Sequence, residues 1–182
     1  MNVNQTLLIS EEILKKDGYA DDNLDMNYIT PAIQVSQDMG LQPVIGTNLY
    51  RKLQSLVDSG TINDVANDKY KILLDTYIVP FLAFKTMSEI MIPISFKNKN
   101  QGVVTTGDDK SYQTDIKNVQ YLKGYYDDRA TFYLLRLSDY LVTFSKDFPE
   151  YTTSNDRSEM EPNPNAYNCG IYLGLTNKNK RC

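Results

Sequence analysis

IKNVQYLKGYYDDRATFYLLRLSDYLVTFSKDF, residues 116–148, is the stretch whose reading decides the fold. Ile116, Val119, Leu122, Tyr126, Ala130, Tyr133, Leu137, Leu141, Phe144 and Phe148 recur every three or four residues. That spacing returns an α-helix to the same side. No proline intervenes before Pro149, and Gly124 is the one weak helix former. At 1.5 Å per residue, roughly 35 residues make a helix of about 50 Å. A helix longer than a small domain is wide is expected to project or to bend.

Working upstream, the spacing predicts a more apolar helix over 68–92, with Asn67 as its N-cap. Tyr70, Leu73, Leu74, Tyr77, Phe81, Phe84, Met87 and Met91 keep the period, and Ile72, Ile78, Val79 and Leu82 widen the face. A helix apolar nearly all round belongs in the centre of a bundle. Pro80 removes one of its backbone hydrogen bonds and is expected to kink it. A helix from Thr47 or Gly46 to Asp58 precedes it, with Leu49, Tyr50, Leu53, Leu56 and Val57 on one face and Gly60 as the stop. Leu41–Gly46 reads as a compact connector. Before that, Tyr28, Ile29, Ala32, Ile33 and Val35 mark a helix from about Asp25 to Met39, ended by Gly40. Pro31 either opens that helix at its first position or kinks it. A short first helix follows Ser10 as N-cap, with Glu11 and Glu12 in its first turn, and ends at Lys16.

Two segments lack a helical period. In 93–113, Ile94–Lys97 alternates, Asn98–Gly102 is turn-rich and Val103–Thr106 is β-branched. This reads as a β-hairpin or extended arm, with Phe96, Val103 and Val104 as candidate contacts to another subunit or partner. After Pro149 the chain is polar until Tyr167–Leu175, where Ile171, Tyr172, Leu173 and Leu175 form an apolar patch without a local partner. The expected fold class is therefore mainly α. It is a helical bundle with one long C-terminal helix, a β-hairpin or extended arm inserted before it, and an extended C-terminal tail. The expected division is a helical domain over 1–149, with its arm at 93–113, and a tail over 150–182.

Composition narrows the chemistry. The chain carries 41 % apolar and 23 % charged residues, ordinary for a folded protein, at 182 residues. Its net charge of −4 argues against a dominant electrostatic grip on nucleic acid, which needs clustered Lys and Arg. The basic end, Asn177–Arg181, reads as a solvated tail. Fourteen tyrosines and no tryptophan suit half-buried core edges and subunit interfaces. Cys169 and Cys182 read as free thiols. No basic segment followed by an apolar run opens the chain, and charges and Pro80 interrupt the richest stretch, Ile72–Ile94. A soluble protein made in a cytoplasm, with no membrane partner, is expected.

There is no histidine, which removes the commonest general base and metal ligand and both histidine-paired nucleophiles. No Gly-rich phosphate loop and no CxxC pair is present. The carboxylate pairs Asp21–Asp22, Asp108–Asp109 and Asp127–Asp128 remain, and paired acids can bind Mg²⁺ or move protons. Adjacent helical positions diverge by about 100°. Asp127–Asp128–Arg129 is therefore read as a solvated face opposite the apolar stripe. No catalytic residue, metal site or cofactor is expected.

One block resembles a known family. Ile29–Ile33 through Gln37, and then Gly40–Leu53, are similar to the first block of head–tail connector (adaptor or ring) proteins of tailed phages, especially of the crAss-like type. Pro43, Gly46, Leu49, Tyr50 and Leu53 match that family's P-x-x-G-x-x-L-Y-x-x-L pattern. The order of the later segments also fits, so the resemblance covers roughly 7–148, and its motif residues are packing residues. The resemblance implies a non-enzymatic virion protein at the neck, in which copies form a ring, usually twelve-fold, beneath the portal. Such a ring continues the DNA channel, touches DNA only as passing cargo, and contacts the portal protein and other neck or tail proteins. Two rivals are a small helical adaptor binding one cellular partner, and a metal-dependent enzyme using Asp127 and Asp128.

Overall fold

The computed structural model describes residues 6–16, 19–21, 23–99, 102–105, 116–152 and 160–163. The chain is mainly helical. Helix α1 (Glu11–Lys16) is capped by Ser10, whose Oγ accepts the Ile13 N–H at 3.3 Å. Helix α2 (Met26–Val35) is capped by the Asp25 carboxylate, which accepts the Asn27 N–H at 2.9 Å. Pro31 lies inside α2, beyond its first turn.

Gly40 does not end this helix, and the compact connector Leu41–Gly46 is itself helical as far as Ile45. The helix widens into a π-helical turn at Ser36–Leu41 and resumes as α3 (Gln42–Ile45). The Gln42 N–H donates to the Gln37 carbonyl, five residues back, and Pro43 follows immediately. The break comes at Gly46, whose φ of 78° and ψ of 156° suit glycine almost alone. Helix α4 (Thr47–Asp58) starts there.

The same device recurs downstream. Two 3₁₀ turns, Thr61–Asn63 and Val65–Asn67, lead into α5 (Asp68–Leu73). Asn67 precedes α5 without capping it through its side chain; its Nδ2 donates to the Thr61 carbonyl at 2.9 Å instead. A π-helical turn at Leu74–Ile78 follows, then α6 (Val79–Ser95). The Val79 N–H donates to the Leu74 carbonyl, and Pro80 comes next. In both places a widened turn ends two residues before a proline. A ring normally collides with the carbonyl four residues back, and a π turn rotates that carbonyl aside. At Pro80 the helix continues, with a local change of pitch just before the proline. Helix α6 continues through Pro93 to Ser95, so Ile94 and Ser95 are helical rather than extended.

Strand β1 (Phe96–Lys99) pairs antiparallel with β2 (Gly102–Thr105), Phe96 opposite Thr105 and Lys97 opposite Val104. Helix α7 (Ile116–Thr143) has 28 residues, or about 42 Å. It stops short of the predicted end because Ser145–Asp147 tightens into a 3₁₀ turn, followed by α8 (Pro149–Thr152).

The core centres on α6, against which α2 and α7 both pack. Phe81, Leu82, Ala83 and Ile90 of α6 meet Ile29 and Ile33 of α2, and Val119, Leu134, Leu137 and Leu141 of α7, all inaccessible to solvent. Tyrosines line the α6–α7 seam. Tyr133 stacks on Phe84 at 5.6 Å between centroids, and Tyr140 on Tyr77 at 4.2 Å. The run Val65–Ser95 is long and apolar enough to cross a membrane by length and composition, contrary to the sequence expectation. Here Leu73, Ile78, Phe81, Leu82 and Ile90 are buried in the core, whereas Ile72 and Ile92 are exposed. Contacts continue past the end of α7: Phe148 is fully buried, and the Tyr70 hydroxyl bonds the Glu150 carboxylate at 2.9 Å.

Candidate functional site

The break at Gly46 leaves unpaired backbone groups on both sides, the last carbonyls of α3 and the first N–H groups of α4. Residues Met160–Asn163, more than a hundred positions away, supply partners for them. The Thr47 N–H donates to the Met160 carbonyl at 2.9 Å, and the Met160 N–H donates to Thr47 Oγ1 at 3.1 Å. The Asn163 N–H donates to the Pro43 carbonyl at 2.9 Å. Gln42 Nε2 holds the Thr47 hydroxyl from the other side at 3.0 Å. Pro162 lies flat against Gly46: a Cβ there would stand 2.7 Å from its Cγ and Cδ. Glycine is therefore required twice, by the backbone angle and by the strap.

The remaining motif residues sit beneath this clasp. Leu49 and Leu53 are fully buried, and Tyr50 is 3 % exposed. The Tyr50 hydroxyl donates to Asp38 Oδ1 at 3.0 Å and accepts from Gln37 Nε2 at 3.1 Å. Gln37, fully buried, also accepts the Leu8 N–H through Oε1 at 2.6 Å. Its Nε2 and that of Gln54 both reach the Thr6 carbonyl. The segment before α1 is thus tied to the first π turn by Gln37 and to α4 by Gln54, and Tyr50 holds Gln37 in place. A buried amide whose groups are all engaged fixes a single arrangement.

A second polar cluster joins α6 to α7. Asp127 accepts from Ser88 Oγ at 2.7 Å, Lys123 Nζ at 2.7 Å and Lys85 Nζ at 3.2 Å. Lys85 also pairs with Glu89 at 2.8 Å, and Lys123 donates to Ser88 Oγ. Burial pushes the Asp127 carboxyl up, but the bonds from Lys123 and Ser88 and the Lys85 charge outweigh it and hold it below the usual value. Burial pulls Lys85 down, and Glu89 and Asp127 more than offset that, leaving it raised. Asp127 is therefore not on the solvated face with its neighbour. Asp128 is exposed, and Arg129 stacks its guanidinium over Tyr125 at 3.3 Å rather than pairing with either acid. The two carboxylates do not converge. Among the described residues no group of three or more acids and cysteines is placed to hold a metal ion.

Of the candidate contact residues, Phe96 lies on β1 and Val103 and Val104 on β2. Ile171, Tyr172, Leu173 and Leu175 lie outside the described residues, as do Cys169, Cys182 and the basic end. A surface missed by the sequence reading lies on α7 itself. Tyr121, Phe132, Leu135 and Val142 are between 55 % and 75 % exposed. Their spacing was available in the sequence. The first apolar stripe accounts for the helix by itself, so this second one gives no separate signal of helicity. Ile116, Leu122 and Phe144, assigned to that buried stripe, are in fact exposed.

The chain belongs to DUF6712, a family of unknown function whose model matches residues 41–160, about two thirds of the chain. The matched region runs from the last residue of the first π turn to the first residue of the strap, so it encloses the Thr47–Met160 pair. No curated protein and no solved structure matches the chain.

Proposed function

We propose that the protein is a non-enzymatic virion component of a tailed phage. Its copies form a ring of about twelve at the neck, where it joins the portal to the tail and continues the DNA channel. The observation that carries self-association is the large apolar surface that α7 leaves in water, with Phe132 at 62 % and Val142 at 58 % exposure; the ring itself rests on the resemblance. Isolated exposed hydrophobics are ordinary, but an aligned set on one helix marks an interaction surface. The neck half rests on the resemblance of the Pro43–Leu53 block. It is supported by the structural use of that block, where every motif residue packs or turns the chain. The non-enzymatic half rests on the absence of histidine from the sequence.

In this reading the arm that begins at Phe96, built on the β1–β2 pair, and the extended tail reach neighbouring subunits through Phe96, Val103, Val104 and Ile171–Leu175. The portal, neck and tail proteins are its partners, DNA passes without being held, and no membrane or cofactor takes part. Mass spectrometry and electron microscopy of purified particles test it. The chain should be found in particles, as an end-on ring. Particles that lack it would sink the proposal.

A further inference from the structure

The exposed face of α7 has a regular period. Tyr121, Tyr125, Asp128, Phe132, Leu135, Asp139 and Val142 step alternately by four and three residues, and all are exposed. A strict seven-residue repeat on the side of a helix turned away from its own core is the pattern by which one helix packs along another. The stripe is about 32 Å long at 1.5 Å per residue. Among the described residues no element covers it.

We infer that this stripe is a seam filled by a second copy of the same chain, with the two α7 helices antiparallel. The inference rests on the self-assembly half of the function proposed above and not on the neck. Charge selects the occupant. The seam holds two acids, Asp128 and Asp139, and one flank carries Arg129 and Arg136. Two copies side by side in parallel and in register would set Asp128 against Asp128 and Asp139 against Asp139, which like charges oppose. In the antiparallel arrangement Asp128 faces the region of Phe132 on the second helix. Arg129 and Arg136 lie about one turn to either side of Phe132, within an arginine's reach. Asp139 then faces the Tyr121 and Tyr125 hydroxyls. Both signs needed for the match lie on one helix, as a like-to-like interface requires.

The area is sufficient. Aromatic side chains each bury 150–250 Å², so the exposed parts of Tyr121, Tyr125 and Phe132, with Leu135 and Val142, come to on the order of 500 Å² per copy. Two copies together reach on the order of 1,000 Å², where specific interfaces begin. A ring contact joins unlike faces, so it uses other surfaces than this seam.

The full chain is tested by size-exclusion chromatography with light scattering. A mass of two copies, or an even multiple, is expected, falling at least two-fold in Phe132→Glu and in Arg129→Glu/Arg136→Glu. Circular dichroism should be unchanged, because these side chains lie outside the core. Orientation is read with single cysteines in a Cys169→Ser/Cys182→Ser background. Chains with Tyr125→Cys should cross-link to chains with Leu135→Cys and not to themselves. A monomeric wild type, a mass insensitive to Phe132→Glu and Leu135→Glu, or self-linking of Tyr125→Cys each overturns the seam. Rings that survive Phe132→Glu while its free chain is monomeric are expected, because the ring uses other faces. A seam-dependent dimer from a chain absent from particles supports the seam and overturns the ring.

Discussion

Replacing Gly46 by alanine puts the clasp to a quantitative test. The backbone there has φ 78° and ψ 156°, a region nearly closed to L residues, and holding alanine in it costs about 1–3 kcal/mol. The added Cβ would also stand 2.7 Å from two carbons of the Pro162 ring. That distance is untenable, so the strap must lift. Lifting it loses the Thr47–Met160 pair of hydrogen bonds and the Asn163–Pro43 bond. At a partly solvated site each contributes toward the lower end of about 0.5–1.5 kcal/mol. The two effects together come to about 3–5 kcal/mol, a large share of the roughly 5–15 kcal/mol that holds an ordinary domain folded.

The assay is urea unfolding of Gly46→Ala alone and in a Pro162→Ala background. With a slope of about 2 kcal/mol/M, the single variant should lose about 2 M of midpoint. Pro162→Ala removes the two ring carbons that the Cβ would meet, so the alanine should cost about half as much there. Equal costs in both backgrounds would show that the strap does not lie on Gly46. A loss under about 1 kcal/mol would refute the strained backbone as well.

Four further outcomes follow from the polar clusters and the buried end. Asp127→Asn should lower stability by about 1–2 kcal/mol near neutral pH, since the site is a third exposed. The folded pKa of Asp127 lies below its unfolded value, so its contribution is present above about pH 4 and fades as pH falls further; the wild type–variant gap in chemical denaturation should close in acid. Tyr50→Phe removes the hydroxyl between Gln37 and Asp38 and should cost about 1–2 kcal/mol by thermal unfolding. Phe148→Ala should cost about 3–5 kcal/mol in the same assay, because this fully buried ring packs 5.6 Å from Tyr70. Burial first, and then the Glu150 carboxylate, push the Tyr70 hydroxyl up to about 12; Glu150→Gln should lower that titration in ultraviolet absorbance without bringing it to the ordinary value.

Period was the legible part of this chain. Helices α4, α6 and α7 follow apolar spacing, and their core residues, from Leu49 to Leu141, are largely the ones the spacing selects. The punctuation was misread where two breakers were compensated. Gly40 and Pro43 look like the end of a helix, yet a π turn absorbs both, and nothing local to the sequence signals a change of pitch. The strap was illegible for a different reason. Its bonds are between backbone groups far apart in the chain, so residue type records only the glycine that makes room. Asp127 was misplaced because adjacency to Asp128 suggested a shared environment. One step along a helix turns about 100°, enough to carry one acid to Lys85 and Lys123 and leave the other in water.

The two faces of α7 divide the work of one helix, and the two aspartates on the outer face explain how that division is tolerated. An unbroken apolar stripe 32 Å long would favour indiscriminate association. Asp128 and Asp139 divide it into short runs, Tyr121–Tyr125, Phe132–Leu135 and Val142, that can stay in water on a free chain. The same acids make the seam selective, because they weaken it against any surface that lacks cations at the matching spacing. Removing them should therefore have opposite effects on strength and on fidelity. Asp128→Leu/Asp139→Leu should raise self-association in light scattering while admitting the parallel pairing, seen as self-linking of Tyr125→Cys. Core stability should not change, since neither acid touches the face that packs on α6. A drop in solubility with no gain in parallel cross-links would mean that the acids serve only to keep the surface wet.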